Sequence, residues 1–294
     1  MNQNIIPTTI KDNSIISITT KDNSNKNITK TLTKDNLNQN VKAVQIKDNP
    51  NQNIKLITTK DNSITFFNEQ YKETYHSVSG AVEEAQKKFS DACKIKEFAK
   101  LHDEINILDV CFGLGYNTAV AIDNILAVNP NCKINIVGLE NDINILNKLN
   151  ELTPPIVHYD LIQKLVQPQN QQKNEFTLHE KNINLKIIIG DARETIKILN
   201  RAELITIINK LANQNNAKNI QFNFCFFDPF SPKTCPELWT KEFFQEVYAV
   251  MTNNGVLATY SCARIVRENM KTAGFIVKDG PIVGRRGPGT IGIK

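Results

Sequence analysis

The chain has 294 residues, of which 40% are apolar and 22% charged, enough for a large domain with a buried core. Its net charge of +5 is too small for the protein as a whole to attract nucleic acid electrostatically, so such a partner would have to bind a local basic patch. No apolar run approaches the roughly 18–20 residues that span a bilayer. The six Cys and four His form no C-x-x-C or H-E-x-x-H pattern, which argues against a metal site. With no secretory signal in the sequence, we expect a cytoplasmic protein with reduced thiols.

Residues 1–55 differ in composition from the rest of the chain. They contain eight Lys, four Asp and twelve Asn, but no aromatic residue, no Gly and no Cys. The tripeptide Lys-Asp-Asn recurs at Lys11, Lys21, Lys34 and Lys47 within this region, and again just after it at Lys60. Because the segment lacks the large apolar side chains that would bury a shared core, we predict a disordered low-complexity extension. The alternative is a lysine-rich N-terminal segment whose ammonium groups contact RNA phosphates.

Residues 56–294 are predicted to form one α/β domain, because strand-like runs alternate with helical periods. In chain order, the predicted elements are a helix at Val78–Ala99, a strand at Ile105–Cys111, a helix to about Val128, a strand at Lys133–Glu140, a helix to about Leu149, strands at Leu185–Gly190 and Asn219–Asp228, a helix at Lys241–Met251, a strand at Gly255–Tyr260, a helix at Arg264–Ala273, and strands at Phe275–Asp279 and Gly289–Lys294. The polar stretch near 167–184 is predicted to be a surface insertion.

Three predicted strands end in carboxylates, at Glu140, Asp191 and Asp228. In open α/β sheets, ligands bind at the carboxyl ends of the strands, near the point where the strand order reverses. We therefore expect these acids to surround one crevice. Asp191 has two interpretations, an acid that contacts adenine or the N-cap of the following helix.

The first strand leads from Asp109 into a turn with Gly113 and Gly115. Glycines let the backbone turn tightly and approach a ligand at the start of a helix. A dinucleotide fingerprint requires a third Gly where this chain has Thr118. Glu140, which ends the next strand, suits the two hydroxyls of a ribose. The glycine turn and Glu140 together favour a nucleoside-binding site. The alternative is that the turn serves only for packing and that Glu140 is a solvated acid in a loop.

The segment Asp228-Pro-Phe-Ser-Pro-Lys fixes a carboxylate between a buried strand and a turn stiffened by proline. Such a carboxylate suits a polar group of the substrate. Phe230 and Trp239 are candidates for a face on which a base stacks, although Trp239 alternatively covers the core. Two cation pairs are candidates for binding phosphates, or are simply solvated: Arg264, Arg267, Arg285 and Arg286.

Four segments resemble the MnmC-like methyltransferase family. They are Asp109-Val-Cys-Phe-Gly-Leu-Gly-Tyr-Asn, Tyr75-His-Ser-x-x-Gly-Ala-x-x-Glu, Asp228-Pro-Phe-Ser-Pro-Lys-x-x-Pro-Glu-Leu-Trp-Thr and Gly284-Arg-Arg-x-Pro-Gly-Thr. The family comprises the methyltransferase domain of the bifunctional enzyme that makes 5-methylaminomethyl-2-thiouridine at the tRNA wobble position, and its stand-alone relatives. The resemblance covers about residues 57–294 and no oxidase domain is present, so we expect the stand-alone form.

The resemblance implies a Rossmann-like class I fold that uses S-adenosylmethionine, with a mostly parallel seven-stranded sheet and helices on both faces. It implies that Asp109 and the turn Gly113–Tyr116 (Gly113, Gly115, Tyr116) contact the cofactor, with Glu140 at the ribose and Asp191 and Ala192 near the adenine. Cys111 replaces the first Gly of the general superfamily motif.

The resemblance further implies transfer of a methyl group to the 5-aminomethyl group of the wobble uridine, with the anticodon arm of tRNA as partner. Asp228 would match the family's acid beside the acceptor amine, orienting the neutral amine and assisting proton loss. Two alternatives stay open: an enzyme that methylates a small free amine or nucleoside, and a non-catalytic RNA-binding module that keeps the fold.

Overall fold

The structure, a computed structural model, describes residues 15–21, 27–33, 54–200, 221–284 and 287–294. The chain divides into two units, residues 1–47 and 48–294. In the first unit, strand β1 (Ile15–Lys21) pairs antiparallel with β2 (Asn27–Thr33). Apart from Ile54 and Lys55, which begin strand β3, the rest of the N-terminal extension lies outside the described residues, so its disorder stays a prediction.

The second unit contains the strands of two sheets. They are β3 (Ile54–Thr58), β4 (Ile64–Asn68), β5 (Glu73–Thr74), β6 (Glu104–Val110), β7 (Lys133–Glu140), β8 (Gln171–Gln172), β9 (Glu175–Glu180), β10 (Ile183–Ile189), β11 (Phe222–Phe227), β12 (Met251–Thr259), β13 (Ile276–Asp279) and β14 (Thr290–Ile293). The α-helices span Ala81–Glu84, Ile95–Ala99, Tyr116–Leu126, Ile143–Leu146, Tyr159–Leu165, Ala192–Asn200, Lys241–Val250 and Arg264–Thr272. A π-helix covers Ala85–Asp91, and 3₁₀ turns lie at Leu149–Glu151, Pro168–Asn170 and Pro236–Trp239.

The larger sheet has the order β13-β14-β12-β11-β6-β7-β10-β9-β8 in the described part of the chain. Strands β12, β11, β6, β7 and β10 pair in parallel, whereas the pairs toward both edges are antiparallel. This arrangement confirms the predicted mostly parallel Rossmann-like sheet. It has nine described strands rather than seven, because β8 and β9, within the predicted polar insertion, extend one edge.

The alternation of side chains along the strands gives the sheet two apolar faces. Ile107 and Phe226 belong to the core on one side, whereas their neighbours Leu108 and Phe227 belong to the core on the other. The central strands are therefore buried on both faces, which is typical of a parallel sheet covered by helices.

The strand order reverses between β6 and β11, which are direct neighbours. Their register pairs Asp109 with Phe226 and Val110 with Phe227. The glycine turn after β6 and Asp228 after β11 therefore leave the sheet at the same edge, where ligands bind in open α/β sheets.

The predicted long helix at Val78–Ala99 is interrupted in the structure. A short α-helix passes into the π-helix Ala85–Asp91, and Lys94 then adopts the left-handed backbone conformation (φ 55°) before the next helix begins at Ile95. The periodicity of apolar residues does not distinguish α- from π-helical winding over so short a segment.

Candidate active site

A cleft of about 530 Å³ lies where the glycine turn, the ends of β7 and β11 and the β4–β5 region meet. This volume is in the range of small-molecule sites. The cleft is lined by more acidic than basic side chains. The basic ones are Lys72 and Lys88, and the five carboxylates are those of Glu73, Glu84, Glu140, Asp228 and Glu237. The cleft therefore favours cationic ligands.

Gly113 and Gly115 both adopt left-handed backbone conformations, with φ of 54° and 70°. A Cβ added at Gly115 would lie 2.8 Å from Ile162 Cγ2 and 2.9 Å from the ring of Phe112, so no side chain fits there. At Gly113, which lines the cleft, the nearest atom to an added Cβ would be Tyr75 Cδ1 at 3.4 Å. The turn is thus a glycine cradle open to a ligand.

Cys111 also has a left-handed backbone, with φ of 65°, although it carries a side chain. This conformation disfavours residues other than glycine. The geometry therefore explains why the general superfamily motif has Gly where this chain has Cys. Burial, reinforced by the nearby Glu140, raises the pKa of the Cys111 thiol well above its usual value, so the thiol is neutral.

Two residues predicted to contact the cofactor instead support the turn from behind. Asp109 is fully buried, and its Oδ2 accepts a hydrogen bond from Thr118 Oγ1 at 2.7 Å. Burial raises the pKa of Asp109 to about 8. Tyr116 is 1% exposed, and its hydroxyl donates to the carbonyl oxygen of Ile64. Neither side chain lines the cleft, because both lie beneath the loop whose backbone faces it.

Glu140, at the end of β7, is held by backbone amides. Its Oε2 accepts a hydrogen bond from the amide of Gly113 at 2.8 Å, and its Oε1 accepts from the amides of Asn141 and Asp142 at 2.9 Å each. Burial nevertheless raises the pKa of Glu140. A carboxylate offers about four lone-pair positions, so capacity remains for a ligand hydroxyl.

Asp191 and Ala192 do not line the cleft. Oδ1 of Asp191 accepts a hydrogen bond from the amide of Arg193 at 2.9 Å, just before the helix that begins at Ala192. The Arg193 guanidinium, 2.5 Å away, lowers the pKa of Asp191. Of the two interpretations, this geometry is that of the N-cap. Ala192 is 6% exposed and packs in the core.

Asp228 follows β11 directly and lines the cleft. Its Oδ2 accepts a hydrogen bond from Nδ2 of Asn117 at 3.0 Å. Desolvation by the surrounding protein, followed by the charge of Glu84, raises the pKa of Asp228 well above its usual value, while Asn117 and Lys88 oppose the shift. Sequence reasoning missed Asn117, although it closes the motif that begins at Asp109.

Sequence reasoning also missed a buried ion pair in the wall of the cleft. Glu84 Oε1 lies 2.5 Å from Lys88 Nζ, and the side chains are 8% and 4% exposed. Glu84 Oε2 accepts a hydrogen bond from the amide of Ser77 at 2.7 Å. Two signals were available, the position of Glu84 at the end of the motif that begins at Tyr75 and its i,i+4 spacing from Lys88, but neither separates a buried pair from a solvated one.

Of the two interpretations of Trp239, the structure favours the one in which the ring covers the core. Its side chain is 2% exposed, and Nε1 donates a hydrogen bond to the carbonyl oxygen of Phe230 at 2.8 Å. Its ring packs against Phe227, Phe244 and Tyr260, so it covers the core and offers no face to a base.

Phe230 does line the cleft, together with Tyr71 and Tyr75, which were not predicted as site residues although Tyr75 begins one of the quoted motifs. Its ring stacks on Tyr71 with centroids 4.7 Å apart and meets Tyr75 edge-on at 5.1 Å. Glu73 ties this region to the loop after Asp228, because its carboxylate accepts a hydrogen bond from the amide of Ser231 at 2.8 Å.

The predicted arginine cluster divides in the structure. Arg264 is exposed at the start of its helix. Arg267 pairs with Asp279 at 2.6 Å and donates to Thr290 Oγ1 at 3.0 Å and to the carbonyl of Gly289 at 3.2 Å, so its guanidinium is used inside the fold. Arg285 and Arg286 lie outside the described residues.

The part of the chain that the structure describes contains no group of three or more His, Cys, Asp or Glu side chains placed to hold a metal ion. Among the same residues, no helix combines the length and the apolar character needed to cross a bilayer.

Comparisons with known proteins agree with this geometry. A family model described as S-adenosyl-L-methionine-dependent methyltransferase matches residues 157–294. The crystal structure of MnmC2 from Aquifex aeolicus superposes with a TM-score of 0.66 at 31% sequence identity, covering 83% of this chain and 72% of that one.

Two relatives match more distantly in sequence. The uncharacterized protein MJ0670 of Methanocaldococcus jannaschii is 29% identical over 218 residues, which are 74% of this chain and 53% of the relative. The tRNA 5-methylaminomethyl-2-thiouridine biosynthesis bifunctional protein MnmC of Pseudomonas entomophila is 24% identical over 230 residues, 74% of this chain and 32% of the relative. The chain thus spans about half or less of the length of these relatives.

The parallel sheet with its glycine cradle, the acid at the end of β7 and the match to MnmC2 lead to one conclusion. The chain belongs to the MnmC-like family of S-adenosylmethionine-dependent methyltransferases.

Proposed function

We propose that this methyltransferase acts on the 5-aminomethyl group of the wobble uridine, or 2-thiouridine, in the anticodon arm of tRNA, giving the 5-methylaminomethyl product. The observation that carries the proposal is Asp228, a desolvated carboxylate held by Asn117 in the same cleft as Glu140. The similarity to a relative named for tRNA 5-methylaminomethyl-2-thiouridine biosynthesis supports the substrate.

The charge of the cleft supports an amine as acceptor. An excess of carboxylates over ammonium groups attracts both a sulfonium cofactor and an alkylammonium group. The same excess repels phosphates. We infer that the RNA backbone stays outside while a single base with its aminomethyl substituent enters.

The residues present fit S-adenosylmethionine: the cradle at Gly113 would receive its amino-acid end, and Glu140 would accept hydrogen bonds from its ribose. When bound, the cofactor supplies a methyl group that its sulfonium already activates. The protein's contribution is then chiefly alignment of the acceptor nitrogen with that methyl group, which can be worth several kcal/mol.

An alkyl amine is largely protonated near neutral pH, and its lone pair must be freed before it can attack. We propose that Asp228 accepts that proton, because desolvation has raised its proton affinity toward that of the amine. Asn117 orients the carboxylate through its amide. With cofactor bound, the nitrogen that Asp228 has deprotonated would form the N–C bond, and the electron pair of the broken C–S bond would stay on sulfur.

We propose that Phe230, with Tyr71 and Tyr75, provides the aromatic surface for the uracil ring. Arg264 is the described cation of the predicted cluster that remains exposed for a phosphate contact. The roles of Arg285 and Arg286 stay predictions.

The test is transfer of labelled methyl groups from S-adenosylmethionine. We expect label in a tRNA that carries 5-aminomethyluridine at the wobble position, but not in the same tRNA with unmodified uridine, and digestion should yield the methylaminomethyl nucleoside. Label in small free amines alone would show that tRNA is not the substrate. Binding of both cofactor and tRNA without any transfer would favour a non-catalytic RNA-binding module.

A further inference from the structure

The ion pair between Glu84 and Lys88 is unusual in its burial. The neighbouring pair of Glu83 and Lys87 has the same i,i+4 spacing and the same 2.5 Å separation, but its side chains are 39% and 51% exposed. Burying two charges costs desolvation free energy that their mutual attraction often does not offset, whereas an exposed pair loses little hydration. Stability alone therefore does not account for the buried pair.

Three features connect this pair to the cleft. Both side chains line it together with Asp228. Glu84 is fixed from its other side by the amide of Ser77, which is itself in the cleft wall. Lys88 projects from the π-helix Ala85–Asp91, and π-helical turns occur frequently at functional sites. Both charges are thus held rigidly, and solvent screens them poorly.

We propose that Glu84 and Lys88 are a positioning pair that sets the charge around the acceptor nitrogen. The Glu84 carboxylate favours entry of the amine as a cation, and the Lys88 ammonium group then favours departure of its proton before methyl transfer. Glu84 also holds Lys88 in place. This inference rests on the proposed amine acceptor, and it adds two residues that act through Asp228 and the substrate.

The titratable groups that surround Asp228 come from several elements. Glu84 and Lys88 face it from the helical segment, with opposite influences, and Asp109 faces it from the end of β6. Cys111 and Tyr260 also interact with Asp228, and burial raises the pKa of both, which leaves them neutral near pH 7. Lys88 is therefore the cation on this list that opposes protonation of Asp228.

The test is the pH dependence of single-turnover methyl transfer after enzyme saturated with cofactor is mixed with aminomethyl tRNA. The rate falls at low pH, where the amine and Asp228 retain their protons. Removing the positive charge with K88M raises their proton affinity, so this limb should move to higher pH. Removing the negative charge with E84Q lowers it, so the limb should move to lower pH. The matched exposed variants E83Q and K87M should leave the limb in place.

A purely structural pair would lower the rate without moving the limb in opposite directions, and that result would overturn the inference. If a single variant fails to fold, the double variant E84Q/K88M avoids a lone buried charge. Its limb is then compared with that of the single variant that folds: adding K88M to E84Q should move the limb to higher pH, and adding E84Q to K88M should move it to lower pH, because Glu84 raises and Lys88 lowers the pKa of Asp228. A folded double variant whose limb coincides with that of the folded single variant would equally overturn the inference.

Cofactor affinity and the wild-type reaction keep the two proposals apart. A wild-type protein that methylates no amine contradicts the proposed function itself. A wild-type protein that does so, with variants of unchanged profile and unchanged cofactor affinity, contradicts only the role of the pair.

Discussion

The two halves of the cleft are built in different ways. In the cofactor half, the glycine turn and Glu140 are joined through backbone amides. In the acceptor half, Asp228, Asn117, Glu84 and Lys88 meet through side chains from separate elements. A hydrogen bond from a backbone amide survives most substitutions of the residue that carries the amide. A contact between two side chains is lost when either residue is substituted. We therefore expect the cofactor half to tolerate change around its glycines and its acid, and the acceptor half to be sensitive at each member.

The largest effect should come from D228N, which keeps the shape of the side chain but removes the proton acceptor. We expect methyl transfer to fall by about 10²- to 10⁴-fold, the usual contribution of a general base, with cofactor affinity nearly unchanged. Single-turnover rates and cofactor titration measure both quantities. D160N, on an exposed helix position, is the control. Near-normal turnover in D228N would show that Asp228 is not the proton acceptor and that the acceptor half is not the more sensitive half of the cleft.

The substitution W239A should destabilise the fold, because the ring is buried in the core behind the acceptor loop. We expect the free energy of unfolding to fall by about 3–5 kcal/mol, measured by denaturant titration. F230A should instead weaken tRNA binding with a smaller loss of stability, since Phe230 lines the cleft. If W239A remained stable and lost only tRNA affinity, the base-stacking role would have to be restored to Trp239.

In the cofactor half, E140Q replaces an acceptor of three backbone amides by a group with a single acceptor oxygen. Hydrogen bonds to a charged group are worth about 1.5–3 kcal/mol, so we expect the Kd for S-adenosylmethionine to rise about 10- to 100-fold. Calorimetric titration measures this, with the exposed E151Q as control. Unchanged affinity would mean that Glu140 only holds the turn.

The smallest effects concern the left-handed positions of the turn. G115A forces a Cβ to within 2.8 Å of Ile162 at φ of 70°, and should lower the free energy of unfolding by about 1–3 kcal/mol. C111G relieves strain at φ of 65° but adds freedom to the unfolded chain, so the net change should stay below about 1 kcal/mol. Denaturant titration of both variants tests this; a larger loss for C111G would show that the thiol contributes packing.

The pattern of apolar residues was sufficient for the parallel strands. Lys133–Glu140 matches β7 in full, and the predicted terminal strands both form. It was insufficient for the edge strand β9, because a polar, half-exposed strand has weak alternation and depends on its pairing with β10. It also missed the π-helix, which packs against the helix Tyr116–Leu126.

The candidate site divides along the same line. Gly113, Glu140 and Asp228 lie in the cleft, as the local motifs predicted. The motifs also suggested that the aromatic side chains of Tyr116 and Trp239 contact a ligand, but in the structure both are buried. A motif specifies which backbone segment reaches the cleft, but side-chain direction depends on what packs behind that segment. Tyr71, Tyr75 and Asn117 gained their positions only through such packing.

The sequence by itself determined the parallel α/β sheet, the glycine turn and the acids at the strand ends, because these depend on local periodicity and on residues adjacent in the chain. The tertiary structure alone decided the buried pair of Glu84 and Lys88, the amide that orients Asp228 and the rings beside Phe230. Burial and non-local contacts set the strength of a charge and the direction of a side chain, and neither property is encoded by spacing.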